Sequence, residues 1–297
     1  MTKPNKIAVI GVGKMGGGVA RNLAADPRFD VTVFDLSAEA VQACVAAGAR
    51  AADSTTAAVQ GADLVITSLP MPRHVLDVYA EITPHLAAGA TCMDVSTIDP
   101  ATAETLESAL GDAGHPFVTC LLGKGPSQAE SGSLPLFVGG DSAALDDLAA
   151  VFDCIGDGTH RVGSVAAATT FKLVSNMIGM TNLAVLAEGY LLCKRAGVVD
   201  DIFATALADT GAWSYQADVR LPWMMHGDYE PRFPVTLGLK DVRLAVDIAG
   251  QWGLGVPVAA AGMSQLAAAQ AHGWGQLDVD AVLKVLDPRS EVTSHAE

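Results

Sequence analysis

Short apolar runs alternate with stretches of helical periodicity through the first half of the chain. Residues 7–10 form an uninterrupted apolar run closed by Gly11, the pattern of a strand buried on both faces. Residues 16–25 then place apolar side chains at helical spacing. Residues 31–34 are a second β-branched run, closed by Asp35, and Ser37 is placed to cap a helix through Val41 and Val45. Further strands are predicted at 64–67, cut off by Pro70 and Pro72, at 91–95, at 117–118 and at 136–138, with a helix over 100–110. Such alternation predicts a mainly parallel sheet with helices on both faces.

The pattern changes near Gly163. Residues 164–195 contain no proline, which allows one helix roughly 45 Å long at 1.5 Å per residue. Gly179 and Gly189 weaken it, since glycine costs about 1 kcal/mol relative to alanine in a helix. Later helices are expected over 200–207, 214–225, 239–252, 258–271 and 279–285, separated by turns holding Gly197, Gly211, Pro231, Gly253, Pro257 and Gly273. The expected organisation is an α/β domain over residues 1–163 and an all-α domain over 164–297 that starts with the long helix. The long helix carries Leu173, Val174, Met177, Ile178, Leu183 and Leu186 around much of its circumference, so burial on most sides is expected.

Gly11-Val12-Gly13-Lys14-Met15-Gly16 follows the first strand and opens the first helix. This spacing suits a dinucleotide pyrophosphate: Gly11 for the tight turn, Gly13 for close backbone approach, Gly16 for helix–strand packing, and the helix N-terminus for the phosphates. Asp35 ends the next strand at the distance where a carboxylate meets the ribose diol, and its charge opposes the extra phosphate of NADP. No arginine at 36 or 37 compensates it, so NAD is expected over NADP. The fold class is therefore α/β, a Rossmann-type doubly wound parallel sheet followed by an all-α C-terminal domain.

Composition narrows the partners. The 297 residues carry 18 Lys and Arg against 33 Asp and Glu, a net charge of −15. That disfavours nucleic acid and an anionic membrane surface, although a local basic pocket can still take a small anion. Cys44, Cys92, Cys120, Cys154 and Cys193 are scattered without a CxxC pair and read as small buried hydrophobes of a reducing compartment. No metal-ligand pattern stands out. No signal-like N-terminal run or membrane span is evident, and a cytoplasmic location is expected.

Five ordered motifs together resemble the β-hydroxyacid dehydrogenase family. Beside the glycine loop with Ala20, Asn22 and Leu23, they are Asp94-Val-Ser-Thr-Ile-Asp-Pro100, Gly132-Ser-Leu134 with Val138-Gly-Gly140, Lys172-Leu-Val-Ser-Asn176 with Ala187-Glu188, and Lys240-Asp-Val-Arg-Leu-Ala245. The resemblance implies hydride transfer between a nicotinamide cofactor and a small 3-hydroxyacid or its aldehyde. It implies Lys172 as general acid and base, with Asn176 one helical turn on, and a lysine suits that work when burial draws its pKa toward neutrality. It implies Ser96 on the substrate acid, Thr97 on the cofactor, Leu69 and Pro70 over the adenosine side, and Lys240 near the nicotinamide. Ser96 and Thr97 also suit a bland role, capping the helix after Pro100.

The chain departs from the family where most members carry D-A-P-V-S-G-G. Here Thr119-Cys-Leu-Leu-Gly-Lys-Gly125 keeps Gly123 and Gly125 and gains Lys124. This version is similar to the 3-sulfolactaldehyde reductase branch, in which an arginine grips the sulfonate. The other reading of Lys124 is a solvent-facing side chain, with the anion held by backbone alone. The resemblance further implies that the all-α domain serves substrate binding and dimerisation, and that the protein is a homodimer or homotetramer. Two other activities share the scaffold: an imine reductase, against which Lys172 speaks, and a catalytically silent NAD-binding scaffold protein, against which the joint presence of Asp35, Lys172 and Asn176 speaks.

Overall fold

The computed structural model describes residues 4–287; the remaining ends of the two expected domains, 1–3 and 288–297, lie outside the described residues. The chain divides into two compact units, with the division after Lys172.

The first unit alternates β1 (Lys6–Ile10), α1 (Lys14–Ala25), β2 (Asp30–Phe34), α2 (Ala38–Val45), β3 (Arg50–Ala51), α3 (Thr55–Ala58), β4 (Leu64–Thr67), α4 (Pro72–Ile82), β5 (Thr91–Asp94), α5 (Pro100–Asp112), β6 (Phe117–Leu122), α6 (Pro126–Glu130), β7 (Leu134–Gly140), α7 (Ser142–Asp147), α8 (Ala149–Ile155) and β8 (Gly156–Gly163). The strands form one sheet in the order β3-β2-β1-β4-β5-β6-β7-β8. Every neighbouring pair is parallel except β6 and β7, which run antiparallel. Chain order reverses direction across the sheet between β1 and β4, the switch point where ligands of such sheets bind beyond the carboxyl ends of the strands.

Strand periodicity of two sorts the side chains onto two cores. Ile7 and Val9 join Val19 and Leu23 of α1 on one face, while Ala8 and Ile10 join Tyr79 of α4 and Leu106 of α5 on the other. Burial on both faces is why β4 and β6 are almost wholly apolar, with only the buried Thr67 and Thr119 as polar exceptions. Pro135 sits inside β7 without breaking it because a register shift lies between Leu134 and Pro135. The edge strand β8 has no apolar alternation and carries three glycines, so its sequence gives no strand signal.

The long helix α9 (Val165–Arg195) begins in the first unit, its first turn capped by the Ser164 hydroxyl, which accepts from Ala167 N. Its first turns pack on β7, with Phe171 and Phe137 ring centroids 4.7 Å apart. Their packing carries the unit boundary past Gly163, where helical periodicity starts.

The second unit holds the remainder of α9 with α10 (Asp200–Ala208), α11 (Tyr215–His226), α12 (Val235–Gln251), α13 (Pro257–Ala271) and α14 (Val282–Leu286). Leu183, Tyr190, Leu221, Leu239, Leu266 and Val282 form its core. The helix α12 starts a turn earlier than its apolar spacing predicts. The buried Asp278 carboxylate accepts from Arg232 N and Phe233 N just ahead of it and pairs with Arg220, fixing the chain that enters the helix. Along α9, Leu173, Leu183 and Ala187 are buried, but Ile178, Val185 and Leu192 are exposed, so the expectation of burial on most sides does not hold within one chain.

Candidate active site

Gly11 has φ +88, and a Cβ there would stand 2.3 Å from Ser68 O. At Gly16 a Cβ would stand 2.1 Å from Gly11 O, so the loop tolerates side chains at neither position. Nothing lies within 4 Å of a Cβ at the exposed Gly13. Gly13 is the N-cap of α1, no side chain caps the helix, and its first turn holds no acidic residue, leaving a helix N-terminus ready for an anion. The Asp35 carboxylate accepts 2.8 Å hydrogen bonds from Val12 N and from Ser37 N, one on each oxygen. An ionised carboxylate has about four acceptor sites, so this fixed group still has room for two ribose hydroxyls. The uncapped helix, the open side of Gly13 and the anchored acid fit a dinucleotide.

The carboxyl ends of β4 and β5 carry a buried polar chain. Thr67 Oγ1 lies 2.6 Å from Asp94 Oδ1 and 3.2 Å from the Tyr79 hydroxyl. Burial pushes the Tyr79 phenol well above its ordinary pKa, with Cys92 and Asp94 adding to the shift, so the phenol keeps its proton. The Thr67 proton then goes to the carboxylate. Ser96, 4% exposed, donates to the same Asp94 Oδ1 at 2.7 Å and accepts from Leu69 N at 2.8 Å. Thr97 is half-buried beside it, and Asp99, not Ser96 or Thr97, caps α5 by accepting from Thr102 N.

Gly123 follows β6, its N–H donating to Pro135 O at 2.8 Å, and Gly125 is the N-cap of α6. Between them Lys124 is exposed at φ +58, the one non-glycine residue with positive φ among the described residues. A lysine held in the left-handed region costs about 1 kcal/mol or more, and such outliers concentrate at ligand sites. The segment is tied to α1: Asn22 Nδ2 donates to Ala129 O at 2.8 Å, and Arg21 forms an ion pair with Glu130.

Lys172 is 9% exposed on α9, where long charged side chains ordinarily reach solvent. Asn176 lies one turn on along the same helix, and within the second unit its Nδ2 donates to Asp241 Oδ2 at 2.6 Å. Lys240 Nζ is 3.0 Å from Asp241 Oδ1. Thus the structure brings Asn176 and Lys240 together on Asp241, joins Ser96 to Leu69, and joins Asp35 to the glycine loop. Pro70 follows Leu69 before α4, and Lys14 and Met15 open α1. Residue-by-residue reading passed over Asp241, Asp94, Thr67 and Tyr79. The first two lie inside the quoted motifs, but only burial and partners reveal what they hold.

Comparison with known proteins follows the same division. Residues 6–169 match the family described as the NAD binding domain of 6-phosphogluconate dehydrogenase, and residues 166–286 match that described as NAD-binding of NADP-dependent 3-hydroxyisobutyrate dehydrogenase. The NAD-dependent L-serine dehydrogenase of Pseudomonas aeruginosa is 32% identical, over 95% of this chain and 98% of that protein. The 3-sulfolactaldehyde reductase of Escherichia coli is 29% identical over 94% of each chain. A crystal structure of 3-hydroxyisobutyrate dehydrogenase from Salmonella typhimurium superposes with a TM-score of 0.88 at 26% identity, over 95% of this chain and 99% of that one. The glycine loop, the anchored acid and the two-part chain define an NAD-binding oxidoreductase. This chain belongs to the β-hydroxyacid dehydrogenase family.

Proposed function

We propose that the protein oxidises a small anionic 3-hydroxyacid, or reduces the matching aldehyde, with NAD and with Lys172 as the general acid and base. The observation that carries this reading is Lys172 itself: a nearly buried lysine on α9, one turn ahead of an asparagine whose amide is fixed by Asp241. NAD supplies the hydride acceptor. As hydride leaves the carbinol carbon, the hydroxyl proton passes to the neutral Lys172 amine, and in reduction the ammonium returns it to the forming alkoxide. Asn176 orients the reacting oxygen, and Lys240 takes the nicotinamide-side role that the family resemblance implies. Asp35 selects NAD over NADP.

Lys124, with the backbone of Gly123 and Gly125, holds the acid of the substrate. The strained backbone and the exposure of this cation support that placement, and relatives named for L-serine and 3-sulfolactaldehyde support a small carboxylate or sulfonate. The stripe of Ile178, Val185 and Leu192 on α9 has the seven-residue spacing of a helix–helix seam and supports a homodimer or larger homo-oligomer. No helix among the described residues is long and apolar enough to cross a membrane, and the five unpaired thiols support a reducing, cytoplasmic setting.

The test is the ratio of kcat/KM for an anionic substrate to that for a neutral alcohol of the same size. In Lys124→Ala the ratio falls roughly 10- to 150-fold, the worth of one charge-assisted hydrogen bond. An unchanged ratio means that Lys124 faces solvent and that the anion is held otherwise.

A further inference from the structure

The Ser96 hydroxyl has one proton, and the structure shows where it goes. It is donated to Asp94 Oδ1 at 2.7 Å, while the oxygen accepts from Leu69 N at 2.8 Å. Both partners are protein groups, and the residue is nearly sealed from solvent. A hydroxyl committed in this way has no proton to offer a substrate carboxylate or sulfonate. It does tie two loops together, the one leaving β5 and the one leaving β4.

The β4 loop is the one that touches the glycine loop. Ser68 N donates to Ile10 O at 2.9 Å, and the positions a Cβ would take at Gly11 and Gly16 lie 2.3 Å from Ser68 O and 2.7 Å from Ser68 Cβ. Leu69 Cδ2 is 3.1 Å from the same Gly11 position. Pro70 has no N–H, so the N–H of Leu69 is the last backbone donor of this turn before Pro70. Displacing Leu69 therefore displaces the wall against which Gly11 and Gly16 are packed.

We propose that Ser96, held by Asp94, is a positioning residue that latches the Ser68–Leu69 turn against the glycine loop and thereby sets dinucleotide affinity, in place of the substrate contact that the resemblance implies. Asp94 Oδ1 is the fixed point, receiving Ser96 and Thr67 together. Thr67 keeps the carboxylate in place, and Tyr79 closes the far end of the chain. A carboxylate suits this work because hydrogen bonds to a charged acceptor are shorter and stronger than neutral ones.

This inference rests on the cofactor reading above, and NADH binding without substrate separates the two. NADH affinity is measured by fluorescence titration of wild type, Ser96→Ala and Thr67→Val, with substrate KM measured alongside. The latch predicts that Ser96→Ala raises the NADH Kd roughly 10-fold, the usual effect of losing a hydrogen bond that ends on a charge, with kcat at saturating NADH close to wild type. Thr67→Val, similar in volume and at a fully buried position, carries the same expectation should the Ser96 variant fail to fold. A rise of less than threefold in NADH Kd overturns the latch. A raised substrate KM with unchanged NADH Kd overturns it too and makes Ser96 a substrate ligand. A wild type that does not bind NADH overturns the cofactor reading and the latch with it.

Discussion

Asn176 gives its side-chain amide to Asp241 Oδ2 at 2.6 Å, and the other Asp241 oxygen stands 3.0 Å from Lys240 Nζ. One buried carboxylate thus holds both an amide and an ammonium that the sequence motifs place at the site. Residues sharing a fixed partner act as a unit, and their losses do not add. Asn176→Ala and Asp241→Ala are each expected to lower kcat/KM by roughly 10-fold or more, the worth of a hydrogen bond to a charged group. The double variant is expected to lose far less than the product of the two. A double-mutant cycle on kcat/KM checks this, and multiplicative losses contradict it.

The Asp35 carboxylate is held by Val12 N and Ser37 N and cannot swing away from a phosphate added to the ribose. Two unit charges about 4 Å apart repel by roughly 1–4 kcal/mol at effective dielectrics of 80 to 20, or about 5- to 1000-fold in binding. NAD should be preferred over NADP within that range, and Asp35→Ser should shrink the preference by at least 5-fold. The kcat/KM values for both cofactors decide it. Equal values in the wild type contradict the assignment.

Asp280 is fully buried, and neither of its oxygens has a hydrogen-bond partner among the described residues. Burial, reinforced by the neighbouring Asp278 and only partly offset by Arg220 and Arg232, pushes its pKa to about 8. In the unfolded chain the group titrates near ~3.9, so between these values the folded state binds the extra proton. Its contribution to stability is complete below about pH 4 and is lost as pH rises through about 8. Relative to wild type, Asp280→Asn should gain melting temperature steadily toward pH 8 and level off above it. A gain of 1 kcal/mol corresponds to about 2–4 °C or less for a chain this long. Melting curves of both proteins from pH 4 to 9 provide the comparison, and a difference that does not vary with pH contradicts it.

Ile178, Val185 and Leu192 leave an apolar line on α9 that one chain does not cover. Light scattering should give the wild type at least twice the 30.5 kDa chain mass. Val185→Glu with Leu192→Glu should shift it to the monomer, because each places a charge in the seam. A monomeric wild type removes the seam as an interface.

The strand and helix alternation was legible because β1, β4 and β5 are buried on both faces almost throughout, while β2 alternates buried valines with half-buried positions. By contrast β8 escaped notice because its residues face solvent at the sheet edge, and β3 spans only two residues. The glycine loop and Asp35 were legible because backbone geometry restricts the residue types there. Asp241 and Asp94 were not legible as partners, since their roles depend on side chains 65 and 27 positions away in the chain, at Asn176 and Thr67. The antiparallel β7 was equally hidden, because orientation is set by the connection through α6 and leaves no trace in apolar spacing.

The central claim is that Lys172 moves the proton while the loop from Gly11 to Gly16 holds the cofactor. The most direct measurement is kcat of Lys172→Ala beside its NADH Kd, on the best hydroxyacid found for the wild type. The account predicts kcat down roughly 10²- to 10⁴-fold, the usual worth of a general acid–base group, with NADH Kd within threefold of wild type. Turnover near the wild-type value would contradict it and leave proton transfer to another group.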